Sequence, residues 1–183
     1  KYFEDVDLGE KFDTITAIAM LYDLPEPNKF IRNIKKHLDT NGIFIAQLMT
    51  LQPMIENNDL GNICHEHIEF YSYKSLVKLF ENNGLEIYRV DLNGMNGGSY
   101  RIFARHYRNH QTGSVYFKEK EYTVEELKYV FSRIENNKNK LKDQLKGKKI
   151  YGYGASTKAN TIMQYYGVYP MAIVDINPEK KGK

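Results

Sequence analysis

The order of apolar and polar residues predicts strands and helices in alternation from the start of the chain. The short apolar-rich run from Phe12 to Ile18 predicts a buried parallel strand. Apolar residues spaced by one, three and four from Phe30 to Leu38 predict a helix that begins near Glu26 and ends at Asn41-Gly42. A second strand is predicted at Ile43 to Leu48. This order is typical of the right-handed parallel crossover from which doubly wound α/β folds are built.

The middle of the chain predicts an antiparallel extension of this sheet. Ser72 is placed to cap a helix that carries one apolar stripe and ends at Gly84. Two strands follow, from Leu85 to Leu92 and from Ser99 to His106, and the glycine-rich residues 93–98 between them predict a hairpin connection.

A second crossover unit is predicted after a polar, aromatic linker. Thr123 and Glu126 form a capping box at the start of a helix that runs to Leu145, with Leu127, Phe131, Ile134, Leu141 and Leu145 on its apolar face. The pattern then predicts a strand at 149–153, a turn and helix at 154–167, and a strand at 171–175. The fold class is therefore α/β, in two pieces.

Composition and charge exclude several classes of protein. The formal net charge of +3 arises from helices of mixed sign, so nucleic acid is not expected as a partner. A single cysteine, Cys64, excludes an intrachain disulfide framework and fits a reducing cytoplasm. Neither a membrane span nor a signal peptide is expected from the apolar runs.

The sharpest chemical cluster is His65-Glu66-His67. Imidazoles titrate near neutral pH, and a glutamate bonded to a histidine orients it and raises its basicity, so a general base is one interpretation. Surface histidines are the commoner one. A metal site is disfavoured, because the spacing differs from His-Glu-x-x-His and no further cysteine follows.

A glycine loop, residues 152–158, lies between a predicted strand and a predicted helix. Gly152 and Gly154 would let backbone amides meet a phosphate at the helix N-terminus, and Lys158 would add positive charge. Asp175 lies at the end of the next strand, where a dinucleotide fold binds ribose, although Thr157 replaces the expected third glycine. Anion binding and plain turn geometry both remain open.

A third segment joins Gly97 and Gly98 to Arg101. Paired glycines allow a positive φ, for a turn or for the close approach of a ligand, and the segment alone favours the turn. Arg101 is suited to a phosphate or to a surface carboxylate.

The succession of these motifs resembles the deoxysugar C-methyltransferases. The landmarks, in order along the chain, are Phe12 to Pro27, Gly61-Asn62-Ile63-Cys64-His65-Glu66-His67 with Tyr71-Ser72, Asn96-Gly97-Gly98-Ser99, and Gly152-Tyr153-Gly154-Ala155 with Lys158 and Asn160. The resemblance implies a partial Rossmann-like methyltransferase domain over 1–107, a linker over 108–122, and part of a C-terminal α/β domain over 123–183.

The resemblance also implies a reaction. The family uses S-adenosylmethionine to methylate a carbon beside the keto group of a nucleotide-linked 4-keto sugar. His67 and Glu66 match the family's catalytic pair, with His67 as the base that removes the α proton. The substrate-binding residues implied are Asp23, Cys64, His65, Gly97, Gly98, Arg101, Gly152, Gly154 and Lys158.

Departures from the family pattern limit the expectation. Asp23 stands where histidine is frequent, and Cys64 stands where some members use tyrosine. No glycine-rich cofactor loop precedes Phe12 and no zinc-binding cysteines are present, so the cofactor site is expected to be incomplete, with only Ala17 and Ile18 near S-adenosylmethionine. Both missing parts are expected upstream.

Two rival interpretations stay open at this stage. One is a nucleotide-sugar or dinucleotide-binding module without methyl transfer, and the other is an inert fragment or pseudoenzyme that assembles with partners. Apolar surface left uncovered by missing strands would favour a homo-oligomer.

Overall fold

The computed structural model describes residues 2–107 and 113–182, which form two compact units. The first unit is drawn from Lys1–Met54 and Glu66–Lys120, and the second from Ile55–His65 and Glu121–Lys183. In chain order the helices and strands are β1 (Phe12–Ile18), α1 (Pro27–His37), β2 (Leu38–Met49), α2 (Leu51–Glu56), α3 (Tyr73–Asn82), β3 (Leu85–Asn93), β4 (Ser99–His106), α4 (Val124–Leu145), β5 (Tyr151–Tyr153), α5 (Thr157–Tyr166) and β6 (Ala172–Val174).

The sheet of the first unit has the strand order β1-β2-β4-β3. β1 and β2 are parallel, with Ala17 opposite Ala46, as the strand–helix–strand pattern predicted. β4 lies antiparallel between β2 and β3, which confirms the antiparallel extension and the hairpin. In the second unit, β5 and β6 form a parallel pair flanking α5 in sequence. The α/β class is therefore confirmed.

The boundary between α1 and β2 differs from the prediction. The helix was expected to reach Asn41-Gly42, but it ends at His37, and Leu38 is already extended and paired with Phe12. The reason is tertiary, since Leu38 is fully buried in the sheet. Gly42 lies within the strand, where a Cβ would stand 2.9 Å from the Phe12 carbonyl oxygen.

One face of the first sheet carries the core. Phe44 is fully buried on β2, 5.9 Å from the ring of Phe80 on α3 and 6.5 Å from that of Phe30 on α1. Ser72 caps α3 through a capping box with Ser75, as its position predicted. The two helices thus shield the buried side chains of β2 and β4.

The second unit buries far less apolar surface. The capping box of Thr123 and Glu126 opens α4, as predicted. On that helix only Val130 and Ile134 fall among the buried apolar side chains, whereas Phe131, expected on the apolar face, is 51% exposed.

Across the described residues, no helix combines the length and the apolar character needed to cross a membrane.

Part of the predicted linker belongs to the first unit. Tyr73 donates its hydroxyl hydrogen to the carbonyl oxygen of Val115, and the ring of Phe117 lies 5.1 Å from that of Tyr100. Tyr100 donates to Glu119 at 2.9 Å. Residues 113–120 are therefore packed rather than free, while residues 108–112 lie outside the described residues. The predicted domain boundaries themselves stay a prediction.

Candidate active site

The candidate site lies in the first unit, where β1 and β2 end side by side. β1 ends at Ile18, and Ala19 adopts a left-handed φ of 53° while its amide donates to the Gln47 carbonyl at 2.8 Å. A short 3₁₀ turn, Leu21–Asp23, follows β1, and Thr50 follows β2. Carboxyl ends of neighbouring parallel strands form the edge at which α/β folds place ligands.

Residues 66–71, which form neither helix nor strand, are tied to both strand ends. The amides of Ile68 and Glu69 donate to the carbonyl oxygen of Tyr22 at 2.9 and 3.0 Å. The amide of Leu51 donates to the Tyr71 carbonyl at 2.9 Å. Burial alternates along the segment, with His67, Glu69 and Tyr71 less accessible and Glu66, Ile68 and Phe70 exposed. His67 and Tyr71 therefore lie on the same, inner side of the segment.

Asp23, Glu66 and His67 share one electrostatic neighbourhood. Burial raises the pKa of Asp23, Glu66 raises it further, and His67 opposes the rise. The His67 ring lies edge-on to Tyr22, with 4.5 Å between ring centroids. Oδ1 of Asp23 is buried with no hydrogen-bond partner among residues 2–107 and 113–182. The catalytic roles of Glu66 and His67 and the substrate-binding role of Asp23 stay predictions.

Cys64 and His65 belong to the second unit. They line a cavity of about 470 Å³ together with one face of α5, including Thr157, Asn160 and Gln164. His65 is exposed and Cys64 is half-buried. His65 and Glu66 form a turn.

The glycines of the β3–β4 connection serve the turn. Gly97 and Gly98 both have positive φ, and a Cβ on Gly98 would stand 2.3 Å from Cβ of Pro53. Arg101 donates from Nε and Nη2 to Oε1 of Gln47 at 3.1 and 2.8 Å. Its described partner is thus an amide oxygen rather than the carboxylate considered from the sequence. The substrate-binding roles of these three residues stay predictions.

The glycine loop of the second unit is closed by its own hydrogen bonds. Gly154 donates its amide to the Val174 carbonyl at 2.7 Å, and Ala155 donates to Oδ2 of Asp175 at 2.7 Å. Asp175 also accepts from Asn177 at 2.8 Å and from Lys180 at 3.1 Å, and these bonds lower its pKa to about 2. Two amides of the loop and the carboxylate that would bind a ribose are thus engaged within the loop, which favours turn geometry there.

Gly152 and Lys158 have local packing roles. A Cβ on Gly152 would stand 3.2 Å from Cγ1 of Ile173, so the glycine allows β5 to approach β6. Nζ of Lys158 on α5 lies 3.9 Å from Oδ2 of Asp59. A Cβ placed on Gly61 would stand 3.1 Å from the Cβ of Lys158. The substrate-binding roles of Gly152, Gly154 and Lys158 stay predictions.

The predicted cofactor residues border an apolar groove along β1. Ala17 is buried and Ile18 is 54% exposed, and both line a groove of about 280 Å³ with Phe3, Ile15, Met20 and Phe30. Over the described residues, no group of three or more His, Cys, Asp or Glu side chains is arranged to hold a metal ion.

Sequence reasoning missed two polar residues at this edge, Thr50 and Tyr71. Their side chains are 1% and 7% exposed. Thr50 lies two residues after the predicted strand and Tyr71 four residues after His67, but neither spacing predicts a side chain that is buried without a partner.

Several known proteins are similar to this chain. The C-methyltransferase NovU of Streptomyces niveus is 29% identical over an alignment of 105 residues, and the match covers 54% of this chain and 25% of that protein. The chain therefore spans about a quarter of the length of this curated relative.

Two solved structures align with part of this chain. A S-adenosylmethionine-dependent methyltransferase from Clostridium acetobutylicum aligns with a TM-score of 0.47 and 13% identity, over 58% of this chain and 63% of that one. The glycopeptide N-methyltransferase MtfA complexed with S-adenosylmethionine aligns with a TM-score of 0.47 and 12% identity, over 58% and 62%. The fold described above rests on its own strand order, since both scores fall below 0.5.

Family models cover nearly the whole sequence. A model described as a methyltransferase domain matches residues 3–90, and one described as a C-methyltransferase C-terminal domain matches residues 94–183. Their order along the chain is the order that the motifs predicted. The chain belongs to the C-methyltransferase family.

Proposed function

We propose that this chain is part of an S-adenosylmethionine-dependent methyltransferase that methylates a carbon beside the ketone of a nucleotide-linked 4-keto deoxysugar. The family membership supports the reaction class. The observation that carries the rest is the grouping of Asp23, Glu66 and His67 at the carboxyl edge of β1 and β2. An imidazole beside polar groups suits removal of a proton α to a ketone.

The residues along β1 fit one face of the cofactor. The groove beside Ala17 and Ile18 is apolar, which suits the flat adenine ring, but its volume of about 280 Å³ is at the lower limit for a ligand pocket. Exposed Ile18 and half-buried Met20 would contact the cofactor there. When bound, S-adenosylmethionine supplies an electrophilic methyl group.

His67 acts as the base in this proposal. Its neutral ring takes the proton from the substrate's α carbon, the C–H electron pair forms the C=C bond of an enolate, and negative charge moves to the former carbonyl oxygen. The enolate oxygen needs a hydrogen-bond donor. Burial raises the pKa of Asp23 and so favours its protonated form, the only form in which this carboxyl can donate. Glu66 stabilises the positive charge that His67 acquires.

The second unit is proposed to contact the nucleotide-linked part of the substrate. Its cavity beside Cys64 and His65 is lined by amide and hydroxyl side chains of α5, which are suited to hydrogen bonding with a polar ligand. The substrate-binding role predicted for Gly152, Gly154 and Lys158 is part of this proposal.

The proposal is tested by incubating the intact protein with S-adenosylmethionine and dTDP- or GDP-linked 4-keto-6-deoxy sugars. The expected result is a sugar product heavier by one methylene group, with the new carbon–carbon bond beside the ketone in the NMR spectrum. Methylation on an oxygen or a nitrogen atom, or no transfer to any of these sugars, would contradict it.

A further inference from the structure

The cavity beside Cys64 and His65 runs along one side of α5. All of its lining residues belong to the second unit, and its volume of about 470 Å³ is within the usual range for ligand pockets. Residues three and four apart share one face of a helix, and the lining follows that spacing. The residues of α5 that line it are Thr157, Asn160, Thr161, Gln164 and Tyr165.

The lining of this cavity is poorly suited to a diphosphate. Among the described residues, neither lysine nor arginine lines it, and Nζ of Lys158 on the same helix lies 3.9 Å from Oδ2 of Asp59. Ser156 caps α5 by accepting from the amide of Ala159 at 3.1 Å, so an amide of the first turn is engaged. Phosphates are bound by cationic side chains and by free amides at helix N-termini. The lining therefore favours an uncharged part of a ligand.

Two amide side chains offer hydrogen bonds to such a group. Asn160 and Gln164 are exposed and lie one turn apart on the cavity side of α5. An amide presents an acceptor oxygen next to an NH₂ donor, which matches the neighbouring acceptors and donors on the edge of a nucleobase. Asn and Gln pair in this bidentate way with adenine in protein–DNA complexes.

An aromatic ring lies beside the two amides. The hydroxyl of Tyr165 donates to Oε1 of Glu135, and Nζ of Lys138 lies 4.8 Å from the centroid of the Tyr165 ring. These two contacts hold the ring at the wall of the cavity. Every nucleobase has a π face that can stack on such a ring.

We propose that this cavity binds the nucleobase of the nucleotide-linked substrate, with Asn160 and Gln164 hydrogen-bonded to the edge of the base and Tyr165 against its face. The inference rests on the proposed function, which makes a nucleotide part of the substrate. It assigns the choice of nucleotide to these three side chains of α5.

The first test compares ligands with and without a base. Calorimetric titration of the intact protein measures the Kd of dTMP, of GMP and of ribose 5-phosphate, which has a sugar and a phosphate but no base. At least one nucleotide should bind about tenfold or more tightly than ribose 5-phosphate, because only the nucleotides can stack and pair in the cavity.

The second test changes the hydrogen-bonding groups of the amides. Gln164→Glu and Asn160→Asp each replace the NH₂ donor by an acceptor at nearly constant size. The pairing edge of thymine has two carbonyl oxygens around one N–H, whereas guanine has two adjacent N–H donors. The ratio of the Kd of dTMP to that of GMP should therefore rise about tenfold in each variant.

Asn139→Asp is the matched control. Asn139 is exposed on α4 and does not line the cavity, so the same change of charge should leave the ratio unchanged. Repulsion between a new carboxylate and the phosphate affects both nucleotides and cancels in the ratio.

Three results would overturn the inference: equal Kd values for all three ligands, no binding of either nucleotide, or a wild-type ratio in both Gln164→Glu and Asn160→Asp. None of the titrations requires methyl transfer. If a sugar is methylated while the titrations fail, the inference falls and the proposed function stands. If the bases bind as expected but no sugar is methylated, the base site stands and the proposed function falls.

Discussion

The two units use the same α/β elements but stabilise them differently. In the first, Phe44, Phe80 and Leu76 are fully buried between the sheet and its helices. In the second, Tyr153 is 82% exposed and Ile176 is 88% exposed, although the strand and helix signals in the sequence were as clear. The spacing of apolar residues therefore predicts which side of a helix or strand is apolar, but not how much of that side is buried by neighbouring elements.

The glycine loop of the second unit and the strand edge of the first unit differ in how fully their polar groups are hydrogen-bonded. The second unit's loop engages Asp175 through Ala155, Asn177 and Lys180. The first unit leaves atoms of Asp23, Thr50 and Tyr71 buried and without partners among the described residues. The contrast is between this strand edge and the glycine loop, because the second unit also leaves Oδ1 of Asn58 and Nε of Arg133 buried without partners among the described residues.

The largest expected difference in the free energy of unfolding is between a substitution in the core of the first unit and one on α4 of the second unit. Phe44→Ala should lower the free energy of unfolding by about 3 to 5 kcal/mol, since a fully buried ring is lost between two other rings. Phe131→Ala, on a residue 51% exposed, should change it by less than about 0.5 kcal/mol. Urea unfolding of both variants measures the difference, and equal losses would show that the two units are covered alike.

A smaller difference is expected between two glycines with positive φ. Gly98→Ala combines a φ of 128° with a Cβ 2.3 Å from Pro53, so it should lower the free energy of unfolding by about 3 kcal/mol. Gly154→Ala has a φ of 92° but open space around the new Cβ, so about 1 kcal/mol is expected. Urea unfolding that ranks Gly154→Ala as the more damaging change would contradict the packing described for the hairpin.

The smallest effects are expected at Asp175 and Asp23, whose pKa values are shifted in opposite directions. The pKa of Asp175 falls from 3.8 to about 2, so its stabilising effect is complete above pH 3.8 and is lost as the pH falls towards 2. The pKa of Asp23 is raised, so its ionisation destabilises the fold once the pH exceeds its unfolded value. At neutral pH, Asp175→Asn should therefore be less stable than the wild type and Asp23→Asn more stable.

Thermal midpoints recorded between about pH 7 and about pH 3 check both signs, because each difference from the wild type should shrink as the carboxyl becomes protonated. Two variants that shift the midpoint in the same direction at neutral pH would show that the environments of Asp23 and Asp175 are not opposed.

Much of the fold was predictable because its signals are local. The caps at Ser72 and Thr123 and the hairpin before Ser99 lie where the sequence placed them. The start of β2 at Leu38 was not predictable, since the pairing of Leu38 with Phe12 is a tertiary contact that overrides the helical spacing.

The site was predictable only in part. The motif order identified Glu66 and His67, and the structure adds their charge coupling to Asp23. Thr50 and Tyr71 were missed because burial without a partner depends on how residues 66–71 join the strand ends, which no spacing reveals.

The most direct test of the account is exchange of the sugar's α proton in D₂O, followed by NMR on the intact protein with dTDP-4-keto-6-deoxyglucose, or with the GDP-linked sugar if that is the substrate. The account predicts that the wild type incorporates deuterium beside the ketone and that His67→Gln slows this exchange by about 10² to 10⁴-fold, as removal of a general base does. The thermal midpoint of His67→Gln should stay near that of the wild type. Exchange at the wild-type rate in His67→Gln would contradict the assignment of His67 as the base.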